Sequence, residues 1–303
     1  MKKLLTALVI MILCAGLLCG CFAAAGWRDE DYRKGSGTVS EPIENLEIDW
    51  TSGEIRIAYH SGNTVLLEEE CRGSLPEDQK MRWKVENKTL KVYYSKPVLF
   101  SFGSKAKKLT VTLPEGIALK QVSLQGTSAD LFVPALKADE IRLGSTSGDV
   151  QATVAAPTVS VDSTSGDITL RLTEKAGQVR MTGTSGIMNL TADQADQVTI
   201  STTSGGIGLD IGQVKKAKID STSGVVVVKV AQFGELGIHV TSGNVEAALS
   251  AVPGFTGKFS VTSGRVDTQM PLAKSGDTYT CGDGSGKLTI STTSGNILVK
   301  EIP

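Results

Sequence analysis

The chain has 303 residues, 33 of them glycine, with 40% hydrophobic and 5% aromatic residues and a formal net charge of −1. Such an even charge balance excludes a strongly basic nucleic-acid binder, and so few rings exclude a stacking platform for bases or sugars as the main device. The length suffices for two ordinary domains or one elongated repeat array, and His60 and His239 are the whole imidazole supply.

The first segment reads as an export signal. Lys2 and Lys3 precede an apolar run from Leu4 to Leu18, too short to span a bilayer but the right length for a signal-peptide core. Leu18-Cys19-Gly20-Cys21 then resembles a bacterial lipoprotein signal, in which cleavage before the cysteine accompanies diacylation of its thiol. The resemblance implies a signal over 1–20, a lipid on Cys21, and a mature chain that is extracytoplasmic and lipid-anchored to the bacterial cell membrane. Residues 21–42 mix alanine, glycine, serine and charges without periodicity, which predicts a tether. In the folded part only Cys71 and Cys281 remain, more than two hundred residues apart. They are expected to be separate thiols, and no cysteine pair has metal-ligand spacing.

The body is dominated by a repeated tripeptide, Thr-Ser-Gly, once Thr-Ser-Ala, whose threonines are Thr51, Thr127, Thr146, Thr164, Thr184, Thr203, Thr222, Thr241, Thr262 and Thr293. From Thr127 to Thr262 the steps are 19, 18, 20, 19, 19, 19 and 21 residues, which is an array. Three residues before and four after each threonine the side chain is apolar throughout. Five before, only Gly257 fails; six after, only Thr268. Each repeat therefore carries two half-buried strands of period two, with the parity changing at the tripeptide. The pattern predicts an all-β fold, a single-chain parallel β-solenoid (β-helix) of coils about 19 residues long. Its corners would be Gly148, Gly166, Gly186, Gly205, Gly224, Gly243, Gly264 and Gly295, at positive φ, with the tripeptide serine tucked inside. Nothing reads as a helix of two turns, and Ala192 to Gln197 offers one turn at most.

Two stretches break the period. Residues 43–120 hold the first coil and an irregular N-terminal β cap, with strands expected around Val65, Leu90 to Tyr94 and Leu109 to Leu113; residues 121–303 hold the repeats. Pro271 to Gly286 reads as a glycine-rich loop before a closing coil. Both departures suit the need of a stack for protected ends.

Two clusters could carry chemistry. Asp130, Asp149 and Asp167 follow the tripeptide in consecutive repeats, so stacking would set carboxylates roughly 5 Å apart, a spacing that invites a divalent cation. The same place then holds Ile187, Gly206, Val225, Asn244, Arg265 and Asn296, which favours aspartate as a turn residue bonding its own backbone. From Lys80 to Lys108 stand Lys80, Arg82, Lys84, Lys88, Lys91, Lys96, Lys105, Lys107 and Lys108 against one acid, Glu86, interleaved with Trp83, Tyr93, Tyr94, Phe100 and Phe102. Of these, Lys80, Arg82, Lys84, Lys105, Lys107 and Lys108 are the candidate contacts to an anionic lipid or wall polymer, against a reading as solvated strand faces.

The lipoprotein signal, the strand and turn Leu109-Thr110-Val111-Thr112-Leu113-Pro114-Glu115-Gly116 and the following Thr-Ser-Gly-Asp repeats resemble the bacterial adhesin-like family called domain of unknown function 4097, over Ile43 to Ile302. The resemblance implies an envelope β-repeat protein and carries over no catalytic residue, cofactor or metal. The expected role is a non-catalytic cell-surface adhesin or envelope-interaction scaffold, with the membrane, an envelope protein, a wall polymer or a host surface as partner and no nucleic acid. Two alternatives stand beside it: an envelope-stress accessory factor binding a membrane partner, and a β-helix carbohydrate-active enzyme, which needs an outward groove of converging acids and bases.

Overall fold

The computed structural model describes residues 28–96 and 105–302; the signal segment, Cys21, Phe100 and Phe102 lie outside them. The described residues are all-β, with one 3-10 turn at Asp29–Asp31 and no α-helix. The end cap consists of β1 (Arg33–Lys34), β2 (Gly37–Val39), β3 (Asn45–His60), β4 (Val65–Cys71), β5 (Arg82–Glu86), β6 (Thr89–Tyr93) and β7 (Lys107–Pro114), and β8 (Leu119–Ser145) begins the regular stack.

Alternating apolar residues on both sides of a corner can be buried only against further copies of themselves. The strand Met188–Ser204 accordingly pairs in parallel with Ile207–Ser223, setting Leu190 opposite Leu209 and Ile200 opposite Ile219. That strand pairs in the same register with Val226–Ser242, Ile219 opposite Ile238. Like residues thus form columns, and Ile200, Ile219 and Ile238 are all fully buried, each worth about 1.5–3 kcal/mol relative to exposure. Ala192 and Ala195 are drawn into the same interior, so the helical turn expected there is corrected to strand.

Both ends depart from sequence order. β3 lies between β8, with Ser52 opposite Ser128, and a terminal layer made by β6 and β7, with Ile48 opposite Val92 and Ile55 opposite Leu109. Residues 89–114 therefore form a further repeat that lacks the tripeptide. At the other end the repeat built on Thr293 is inserted between those built on Thr241 and Thr262: Ile290 pairs with Ile238 on one side and Phe259 on the other. The expected closing coil is thus one layer in from the tip. Antiparallel strands cover the exposed edges, β4 on β7 and β5 on β6 at one end and Thr278–Gly282 on Gly254–Ser263 at the other, as open sheet edges require.

Some of the segment expected to be a tether belongs to this cap. β2 pairs with β4 and β1 with β5, Val39 is buried, and Trp83 Nε1 donates to the Gly35 carbonyl at 2.9 Å. A polar sequence pairs here because the cap offers it a strand edge rather than an apolar face. Cys71 and Cys281 are free, the second buried.

The corners correct the sequence reading in two ways. Ser128, Ser147, Ser165, Ser204, Ser223 and Ser242 are exposed; the residue before the threonine turns inward instead, and Ser145, Ser163, Thr202, Ser221 and Thr292 are buried. The parity switch falls within the tripeptide, so the last inward side chain precedes it. A hydroxyl suits that place because it donates and accepts: Ser145 Oγ accepts from Gly148 N–H at 2.8 Å and donates to Ala129 O at 3.1 Å. Positive φ occurs at Gly186, Gly205, Gly224, Gly243, Gly264 and Gly295 but not at Gly148 and Gly166. At those two the constraint is space, since a Cβ on Gly148 would stand 2.1 Å from Ala129 O and one on Gly166 2.0 Å from Gly148 O.

Candidate functional site

Four surfaces arise from this stacking. The first is the corner itself. Thr127, Thr146, Thr164, Thr203, Thr222, Thr241, Thr262 and Thr293 are exposed together with the serine that follows each. Parallel register sets successive layers about 4.8 Å apart, so the corner presents a double row of hydroxyls along the stack, with Thr184 half-buried between Thr164 and Thr203.

The second is the acid row. Asp130, Asp149 and Asp167 do stand in consecutive layers, and the structure shows what each does: Asp130 Oδ1 accepts Asp149 N–H at 2.9 Å, Asp149 Oδ1 accepts Asp167 N–H at 2.9 Å, and Asp167 Oδ1 accepts Ile187 N–H at 2.7 Å. Each carboxylate satisfies the backbone of the next layer, where the bulge leaves a strand N–H without a ladder partner. Asn244 and Asn296 repeat the device, on Asn296 N–H at 2.9 Å and Arg265 N–H at 3.1 Å. Among the described residues no group of three or more His, Cys, Asp or Glu is placed to hold a metal ion. The row is one member longer than sequence spacing suggests, because Glu54 lies opposite Asp130. The long gap between their tripeptides hides that neighbour from a periodicity reading.

The third surface is the basic end, where the structure corrects two of the six candidate contacts. Arg82 and Lys107 are buried. Arg82 Nε donates to Asp29 at 2.7 Å and its other nitrogens to the Lys80 and Glu77 carbonyls, and this guanidinium holds the Asp29 carboxyl below its usual range. Lys107 Nζ is 2.6 Å from Glu69 Oε1 and also donates to Gln79 O and Tyr94 O. Of the remaining four, Lys80 pairs with Glu77, Lys84 with Glu86 and Lys108 with Glu70, while Lys105 donates to Ser74 O. Lys120 and Lys88 together push the Glu44 carboxyl down to about 2. Apart from Glu86, the acids that answer this segment come from outside it, Glu69 and Glu70 being carried in by the antiparallel pairing of β4 with β7. Counting charge within a window cannot see them.

The fourth, which sequence reasoning missed, is a cleft of about 430 Å³ across β6, β3 and the two ends of β8. Lys91, Glu47, Ser123 and Arg142 occupy equivalent positions in adjacent layers, and the small Ser123 leaves the hollow. Arg142 donates to Glu140 Oε1 through Nε and Nη2 at 3.0 and 2.6 Å, and Lys91 pairs with Glu86 at 2.9 Å. Beside the cleft, burial and the neighbouring Glu47 push the Asp49 carboxyl up. Donors and acceptors so interleaved suit a polyhydroxylated chain.

A family model described as Toastrack DUF4097 matches residues 43–300. No curated protein matches the chain significantly. Among solved structures, a protein named as a putative adhesin from Parabacteroides merdae is 14% identical, with 89% of this chain and 97% of that one covered and a TM-score of 0.50. One so named from Parabacteroides distasonis is 12% identical, with 90% and 98% covered and a TM-score of 0.47. One so named from Bacteroides fragilis is 15% identical, with 89% and 97% covered and a TM-score of 0.46. At such identity the first of these likenesses shows a shared fold alone.

Proposed function

The chain belongs to the Toastrack DUF4097 family, and from that premise we propose that it is a non-catalytic, extracytoplasmic adhesin-like protein, lipid-anchored through Cys21, whose body is a β-solenoid displaying its corner to envelope or host polymers. The observation that carries the reading is the double row of exposed threonine and serine hydroxyls. Hydroxyls at a fixed repeat can bond a polymer at many weak points, and such contacts sum through multivalency. The test is binding of the mature chain to purified wall polymer. Joint replacement Thr146→Val, Ser147→Ala, Thr164→Val and Ser165→Ala is expected to weaken it about fivefold or more, with the fold intact because all four side chains point outward. Unchanged binding would refute the display reading.

Anchoring is tested separately. No helix among the described residues is long and apolar enough to cross a membrane, so in this reading attachment rests on the acyl chains at Cys21. Cys21→Ser is expected to shift the protein from the membrane pellet to the soluble or secreted fraction. Retention equal to that of the parent would remove the lipid anchor from the proposal.

A further inference from the structure

Ile187, Val225 and Val227 are exposed apolar side chains, at 49%, 50% and 43%, and they fall in one place. Ile187 and Val225 occupy the position after the tripeptide in repeats separated by a single layer, and that layer carries Gly206 there. A Cβ on Gly206 would make ordinary contact with the Ile187 side chain, at 3.7 Å, so its absence leaves a trough between the two. Val227 lies opposite Gly208 on the adjoining outward position. Water-facing aliphatic groups gathered around bare backbone make a surface that gains by being covered.

The chemistry of what covers it is set by the same row further along the stack. Asp167, Asp149 and Asp130 continue it one layer at a time, followed by Glu54. One oxygen of each aspartate is engaged with backbone, and among the described residues no ion pair reaches any of the three. Of the cations near its Asp130 end, Arg56 pairs with Glu54 and Lys108 with Glu70, while Arg72 lines the same hollow as Asp130 and Glu54. From Asp130 to Val225 the row crosses six layers, about 24 Å. It carries three carboxylates free of ion pairs among the described residues over one half and apolar groups over the other.

We infer that this row is a docking track for a basic segment of a partner protein, with lysine or arginine side chains over Asp130, Asp149 and Asp167 and apolar ones over Ile187, Val225 and Val227. The acidic half favours a basic occupant over an anionic polymer, and the track runs beside the hydroxyl corner, two residues beyond its serines. The chain itself supplies a conservative probe, because Asn244 and Asn296 make the same backbone contact without a charge.

The test is fluorescence anisotropy of the solubilised full chain with a labelled peptide of four lysines followed by Gly-Leu-Gly-Val-Leu, and with a peptide of the same composition in alternating order. The ordered peptide is expected to bind more tightly, and increasingly so as salt falls. The triple variant Asp130→Asn, Asp149→Asn, Asp167→Asn should fold normally, weaken binding about tenfold or more and abolish the salt dependence. Ile187→Ser with Val225→Ser should weaken binding about threefold or more while leaving the salt dependence in place. Equal affinity for the two peptides, or no effect of either set of substitutions, would overturn the track. Wall-polymer binding should survive both sets, which separates failure of this inference from failure of the display reading.

Discussion

Lys107→Met is expected to lower the stability of the protein by about 3–5 kcal/mol in urea unfolding, the range for removing one member of a buried ion pair. Lys107 and Glu69 are both excluded from solvent, with side-chain exposures of 0% and 3%. The ammonium also sits 3.7 Å from the centre of the Tyr94 ring and 4.9 Å from that of Trp50. Burial pulls its pKa down, and Glu69 pushes it back up. Removing the lysine would leave the Glu69 carboxylate held by Met81 N–H alone among the bonds it now makes. The double variant Lys107→Met, Glu69→Leu is accordingly expected to be more stable than the single one, because the stranded charge is gone. A single variant within about 1 kcal/mol of the parent would show that the pair is not desolvated as the structure has it.

Gly205→Ala is expected to cost about 3 kcal/mol or more, whereas Thr203→Ser, two residues away and exposed, should stay within about 0.5 kcal/mol. Two independent costs meet at the glycine. Its φ of +127° lies in the region that L side chains rarely adopt. An added Cβ would also stand 1.9 Å from the Gly186 carbonyl oxygen of the layer below. The same stacking recurs from Gly224 onto Gly205 O and from Gly243 onto Gly224 O, so a single methyl at Gly205 would push its layer away from the one below. Equal melting shifts for the two substitutions would refute this account of the corner.

The parallel stack was legible in the sequence because its cause is periodic: columns such as Ile200, Ile219 and Ile238 need the same residue type at the same interval. What was not legible depends on contacts without a period. The layer formed by residues 89–114 has no tripeptide, because its corner is replaced by a longer excursion that brings Lys107 opposite Gly53. The tripeptide serine and the hydroxyl before it share one parity, so alternation alone could not say which turns in. Arg82 and Lys107 looked like surface cations because their acids, Asp29 and Glu69, are 53 and 38 residues away. The cleft around Ser123 depends on which side chains stand above and below it, and the layer with Lys91 was unseen. Glu54 was missed as the fourth acid because 76 residues separate its tripeptide from the next.

The interleaved ends change how the molecule meets mechanical load. In a stack wound in simple order, a pull on either terminus peels the outermost strand, breaking a few backbone bonds at a time. Here the first long strand, β3, has neighbours on both sides, and so does the last, Ile297–Glu301, which lies between Val245–Leu249 and Val266–Gln269. Tension along either strand must slide it lengthwise between its parallel partners, so many hydrogen bonds resist together and a buried side-chain row is dragged past its neighbours. Once the short edge strands β1 and β2 have been pulled away, a body tethered at one end and gripped elsewhere by an opposing surface would transmit force through its layers rather than unravel strand by strand.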